Sequence, residues 1–204
     1  MSILTCVVKP EHAWVCVDTA APGIDGKPSR RFPKLIPLVH ANAVLAGRGN
    51  GLFLTGAFNV LAHEGVANVD EMIDRMPAFL AVLCAELRHR AAIIPPKEGE
   101  GGRQELVLIG WSKRLDRPIA RAFVGDMLAG TFEQLEANPF IVAPPTWDAP
   151  ESAPPLETLA DLMNVARAQV ARLRRDCPGM AAGGDLIVAR IERDRMTIST
   201  ECAL

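Results

Sequence analysis

Hydrophobic positions along the chain switch between two rhythms, and the switches mark the elements. Leu4 to Val8 and Ala13 to Val17 are short apolar runs joined by Lys9-Pro10-Glu11-His12, the pattern of an antiparallel hairpin. Both runs are nearly continuous, LTCVV and AWVCV, where a half-exposed strand would alternate with polar residues. The sheet they build is therefore expected to be covered on both faces. A Gly/Pro-rich connection, Ala21 to Arg30, leads to further strands at Lys34 to Val39 and Ala43 to Ala46, the last ending in Gly47-Arg48-Gly49-Asn50-Gly51.

From Leu52 to Leu61 apolar side chains surround most of a helical circumference, which predicts a buried helix. In the next helix Asn68 is the N-cap, Glu71 follows three residues later, and Val69, Met72, Ile73, Met76, Leu80 and Leu83 keep a 3.6-residue period. Pro77 is expected to kink it. After a polar loop at Pro95 to Gln104, Glu105 to Trp111 and Ile119 to Val124 predict a second hairpin, and Phe140 to Ala143 a short strand. A proline-rich exposed connection, Pro144 to Pro155, precedes a third helix over Leu156 to Arg175. Asp185 to Ile191 and Met196 to Thr200 close the chain as a hairpin.

Doubly covered sheets with helices in separate blocks predict an α+β fold of two stacked antiparallel sheets between helical layers, a four-layer αββα sandwich. Length supports one domain over residues 1–204, and 49% hydrophobic with 23% charged residues is an ordinary globular composition. With 22 basic against 24 acidic residues, no global field favours nucleic acid or an anionic membrane. The start of the chain lacks the signature of a secretory signal, and no apolar stretch approaches the roughly 20 residues that span a bilayer, so a cytoplasmic location is expected. Five cysteines without any CxxC pair read as buried thiols, and no His/Cys/Asp cluster has ligand spacing, so neither a metal nor another cofactor is expected.

The candidate chemistry lies in Ser2, Asp18 and Lys34, spaced by sixteen positions and then sixteen again. Serine after the initiator methionine can become the amino terminus, which places a hydroxyl nucleophile and an amine base on one residue. Asp18 ends one strand and Lys34 opens another, so the fold can bring both beside it. Taken singly, serine at position two is usually a plain terminus, and an aspartate and lysine are usually a surface ion pair. His63-Glu64 lacks the second histidine of HExxH and reads as a helix end; the glycines at 47, 49 and 51 lack the lysine of a phosphate loop and read as a strand-to-helix turn.

The spacing and element order resemble the N-terminal nucleophile hydrolases, and among them the proteasome β-type subunits and the bacterial peptidase rings in which only methionine precedes the nucleophile. The family strand ending in V-x-D is matched by Trp14-Val15-Cys16-Val17-Asp18, and the lysine-led strand by Lys34-Leu35-Ile36-Pro37. Leu45-Ala46-Gly47 is similar to the family's strand end, whose glycine amide belongs to the oxyanion hole; Gly49 is the alternative donor. Arg175-Asp176 stands where the family carries an aspartate supporting the terminal amine. The resemblance implies amide or peptide hydrolysis with Ser2 as nucleophile once Met1 is removed, catalytic roles for Asp18, Lys34, Gly47 and Asp176, and a specificity pocket shaped by Ala21, Phe32 and Ala46. It also implies a homo-oligomeric ring and an unfoldase partner. Departures from the pattern are Thr19-Ala20 after the strand-ending aspartate, Pro144-Pro145 in place of a serine-glycine pair, and Ala182-Gly183-Gly184 in place of Ser-Gly-Gly. They favour the alternative of a catalytically silent subunit of the same fold, a ring-forming scaffold or binding protein.

Overall fold

The computed structural model describes residues 2–22, 28–93, 103–127, 129–136, 140–147, 154, 156–178 and 181–204. In chain order these form β1 (Leu4–Val8), β2 (Ala13–Asp18), β3 (Ala20–Pro22), β4 (Pro28–Arg31), β5 (Leu35–Leu38), a 3-10 turn (Val39–Ala41), β6 (Ala43–Arg48), α1 (Gly51–His63), α2 (Val69–Ile93), β7 (Arg103–Ser112), β8 (Arg117–Asp126), β9 (Thr131–Glu136), β10 (Phe140–Ala143), α3 (Leu159–Asp176), β11 (Asp185–Ile191) and β12 (Met196–Ala203). Two five-stranded sheets result, ordered β10-β1-β2-β11-β12 and β5-β6-β7-β8-β9, with β3 and β4 as a separate pair. Their ladders are antiparallel.

The continuous apolar runs have a direct explanation in where alternate residues go. In β2, Ala13, Val15 and Val17 join a cluster shared with Val44, Ala46, Val107, Ile109, Ala120 and Ala122 of the other sheet. Trp14 and Cys16 point the other way, into a cluster with Leu162, Val165, Ala166 and Val170 of α3. Likewise Ala43 and Leu45 of β6 leave the intersheet cluster and pack with Phe53 and Leu61 of α1 and Met72 and Met76 of α2. Every strand of this kind has two dry faces, so period-2 alternation cannot appear in it.

Side chains start the helices. Asn50 caps α1 by accepting the Leu52 N–H. Asn68 Oδ1 accepts the Glu71 N–H at 3.0 Å, while the Glu71 carboxylate reaches back to the Ala67 N–H at 3.3 Å. Thr158 and Asp161 form a reciprocal capping box at α3. That box moves the start of α3 to Leu159, three residues after the position read from its apolar residues. Pro77 lies within α2, which continues past it to Ile93.

Two features depart from the sequence reading. Thr131–Glu136 is a strand, mostly exposed and, among the described residues, paired with β8 alone, where no strand was expected: TFEQLE buries too little for a pattern to show. The Gly/Pro-rich segment 21–30 contributes most of the β3–β4 pair, with residues 23–27 outside the described part. Most of the expected loop at 95–104 and part of the proline-rich connection at 144–155 also lie outside the described residues; Arg103 and Gln104 already belong to β7.

Candidate functional site

Strand ends from both sheets meet at one end of the stack, because β2 finishes at Asp18, β5 starts just after Lys34, and β6 finishes at Arg48. Asp18 is fully buried, and Ser2 and Lys34 are each 7% exposed. Lys34 Nζ lies 2.8 Å from Asp18 Oδ1 and also donates to the Ala20 carbonyl. The same Oδ1 accepts the Ile3 N–H at 3.1 Å, and Oδ2 accepts the Gly183 N–H at 3.0 Å. On the other side of the peptide, Arg48 Nε donates to the Ser2 carbonyl at 2.7 Å. Asp18 and Lys34 are thus in direct contact, and Ser2 is tied to them through the Ser2–Ile3 peptide.

A carboxylate with no exposed surface needs full compensation, and here one ammonium and two backbone N–H groups supply it. Burial, foremost, holds the Lys34 ammonium below the usual lysine range; the Asp18 charge and hydrogen bond oppose that shift, and the positive Arg48 adds to it. The result is a buried cation whose proton is more easily lost than that of a surface lysine.

Other expected residues are placed as follows. The Gly47 N–H donates to the Lys34 carbonyl at 2.9 Å, so the amide expected in the oxyanion hole is engaged between β5 and β6. Gly47 is glycine for packing reasons too, since a Cβ there would meet Leu54 Cδ1 at 2.8 Å. Gly49 has φ +122°, and a Cβ there would meet Gln104 Oε1 at 2.3 Å. Asp176 sits at the exposed end of α3, bound by Arg175 at 2.8 Å and Arg172 at 3.3 Å; among the described residues no contact joins it to Ser2, Asp18 or Lys34. Ala46 is fully buried in the intersheet cluster. Phe32 is half-buried and covers Gly51 at the start of α1, and Ala21 pairs with Arg30 in the β3–β4 ladder.

Sequence reasoning missed Arg48, Glu105, Thr19 and the bonding role of Gly183. Gly183 and Gly184 have φ of +118° and +79°, and that left-handed turn is what aims the Gly183 N–H at Asp18. Thr19 Oγ1 accepts the Asp185 N–H at 2.9 Å, and the Ala20 N–H donates to the Gly183 carbonyl at 2.9 Å, so the late loop is stitched along the end of β2. The available signal was a Gly-Gly pair directly before a strand. Away from this site, at the opposite ends of the strands, a cavity of about 390 Å³ is lined by Val8, Lys9, Leu115, Arg117, Arg121 and Glu136. No helix among the described residues is long and apolar enough to cross a membrane.

Among solved structures, Anbu from Hyphomicrobium sp. strain MC1, determined as its Gly-1 mutant, is similar over 100% of this chain and 87% of that chain, with a TM-score of 0.61 and 16% sequence identity. No family model matches the chain, and no curated protein matches it. At that identity the likeness is one of fold alone, a fold this chain shares with that Anbu structure.

Proposed function

We propose that this chain is a single four-layer αββα domain that assembles into a homo-oligomeric ring and hydrolyses peptide or other amide bonds, with Ser2 as nucleophile after removal of Met1, a residue outside the described part. The observation that carries this reading is one carboxylate oxygen, Asp18 Oδ1, bound at once to Lys34 Nζ and to the N–H that follows Ser2. An ion pair kept only for solubility would not be buried against the second residue of the chain.

In this reading the Ser2 α-amine takes the proton from Oγ as Oγ attacks the substrate carbonyl, then gives it to the departing amine. Water next attacks the acyl-serine ester, with the same amine as base. The Lys34 charge stabilises the alkoxide and keeps the amine unprotonated. With the Gly47 N–H engaged, the neighbouring Gly49 amide is the backbone donor assigned to the oxyanion.

A second reading, a catalytically silent ring scaffold or binding subunit, is favoured by two observations: the Gly47 amide is bonded within its sheet, and Asp176 is held by Arg172 and Arg175. Intact mass and a covalent amide-mimicking electrophile separate the two. The expected result is a chain lacking Met1 that gains one adduct on Ser2, and a Ser2→Ala variant that gains none. The labelling rate rises as the α-amine loses its proton near pH 8 and falls again on the alkaline side at a pH below the ordinary lysine value of 10.5, where Lys34 loses its own. A processed chain that stays unlabelled, or a Ser2→Ala chain that labels like its parent, overturns the nucleophile assignment.

A further inference from the structure

Arg48 is the last residue of β6 and stands directly across the ladder from Glu105 of β7, so both side chains share the intersheet face. Arg48 Nη1 bonds Glu105 Oε2 at 3.0 Å, and the two side chains are only 14% and 13% exposed. Glu105 is held in turn by Arg103 Nε at 3.1 Å. From this brace Arg48 Nε reaches the Ser2 carbonyl, which belongs to the other sheet's leading segment, at 2.7 Å. A planar fork with several donors can serve both acceptors at once, which a lysine ammonium on a flexible stem does poorly.

The consequence for Ser2 follows from peptide planarity. The Ser2–Ile3 peptide is one rigid unit, and both of its polar atoms are pinned: its oxygen by Arg48 and its N–H by Asp18. With that plane fixed, rotation about the Ser2 Cα–C bond and about χ1 are the freedoms left to place the hydroxyl and the amine. We propose that Arg48, braced by Glu105, is a positioning residue that locks the Ser2 peptide across the two sheets and thereby aims the Ser2 hydroxyl and amine. This rests on Ser2 being the nucleophile. Arg48 also acts on Lys34 electrostatically: the charged groups facing Lys34 are Asp18 from β2, which favours its proton, and Arg48 from β6, which disfavours it.

The test uses the full chain carrying Arg48→Met, Arg48→Lys or Glu105→Gln, and reads three things: exchange of the Ile3 amide, the side-chain titration of Lys34 by NMR, and the rate at which the electrophile labels Ser2. Arg48→Met is expected to speed Ile3 exchange by about tenfold, to raise the pH at which Lys34 titrates, and to slow labelling by about 10- to 100-fold, the scale on which a misplacement of about 1 Å acts. Arg48→Lys restores the Lys34 titration without restoring the labelling rate, which separates geometry from charge. Glu105→Gln is expected to speed Ile3 exchange and slow labelling more weakly than Arg48→Met, without raising the pH at which Lys34 titrates because the Arg48 charge stays, and it serves if that variant does not fold. Parental Ile3 exchange and parental labelling in Arg48→Met overturn the proposal while leaving the nucleophile reading intact. A parent that never labels, with Ile3 and Lys34 responding as expected, supports the lock and removes the nucleophile.

Discussion

The two ends of the stacked sheets differ in how much charge they bury, although the Ser2 end also carries exposed arginines, Arg31 on Asp185 and Arg103 on Glu105. At one, Asp18, Lys34, Arg48 and Glu105 are paired with almost no contact with water. At the other, Arg193 with Asp116, Lys9 with Glu157 and Arg121 with Glu136 form pairs with at least one largely exposed partner, around an open cavity. Exposed pairs of the second kind contribute about 0 to 1 kcal/mol each and restrict little. Buried pairs of the first kind cost several kcal/mol per ion in desolvation, and apolar residues of similar volume would often serve stability as well or better. Charge at the Ser2 end is therefore arranged for something other than holding the fold together, while at the far end it keeps the surface wet.

The sharpest way to break this comparison is Asp18→Ala, which strips the partners from the Lys34 ammonium and from the Ile3 and Gly183 N–H groups together. Denaturant titration is expected to show a loss of about 3 to 5 kcal/mol, and adding Lys34→Met should return part of it by removing the stranded cation. A loss below about 1 kcal/mol would make the two ends alike.

The interior between the ends gives an intermediate case through pH. Burial pushes the Cys16 thiol up to about 12 from 9.0, with the Thr5 hydrogen bonds opposing, and burial raises Cys6 as well. Because the folded value lies above the unfolded one, the thiol's contribution is intact below pH 9 and declines from there to pH 12, by about 1.4 kcal/mol per pH unit for each thiol. Lys34 has the opposite sign: its folded value is lowered, so the unfolded chain holds the extra proton and the lysine's contribution grows as pH rises towards 10.5. The expected sum is a fall in stability above pH 9 that Cys16→Ala makes shallower, and the chain's lack of tyrosine keeps that window clear of phenol ionisation. A pH profile unchanged by Cys16→Ala would count against a dry β2–α3 interface. The smallest effect is expected at the far end, where Lys9→Ala should cost less than about 1 kcal/mol in the same titration.

Much of the fold was legible because burial on both faces writes itself as uninterrupted apolar runs, and because Asn68 with Glu71 announces its helix locally. The edge strand Thr131–Glu136 was not, since a strand with one neighbour and little buried surface leaves no mark in hydrophobicity. At the site, Asp18 and Lys34 could be read as charges placed at the boundaries of apolar strands. Gly47 could not be judged without strand register: its N–H meets the Lys34 carbonyl only once β5 and β6 are aligned. Arg48 acts through a backbone carbonyl 46 positions away and Gly183 through a side-chain carboxylate 165 positions away, and no local pattern encodes such distances. Asp176 shows the reverse, for its partner Arg172 stands four residues earlier on the same helix, and a helix-face pairing was there to be read.

The bond from Gly183 to Asp18 has a further meaning for how the molecule is made. Asp18 leaves the ribosome well before Gly183, and its second oxygen lacks that donor until Gly183 has been translated and turned back over β2. Long-range closures of this kind are late events in folding. A nascent chain therefore carries its charged cluster incomplete until the 165 positions that separate Gly183 from Asp18 have been added.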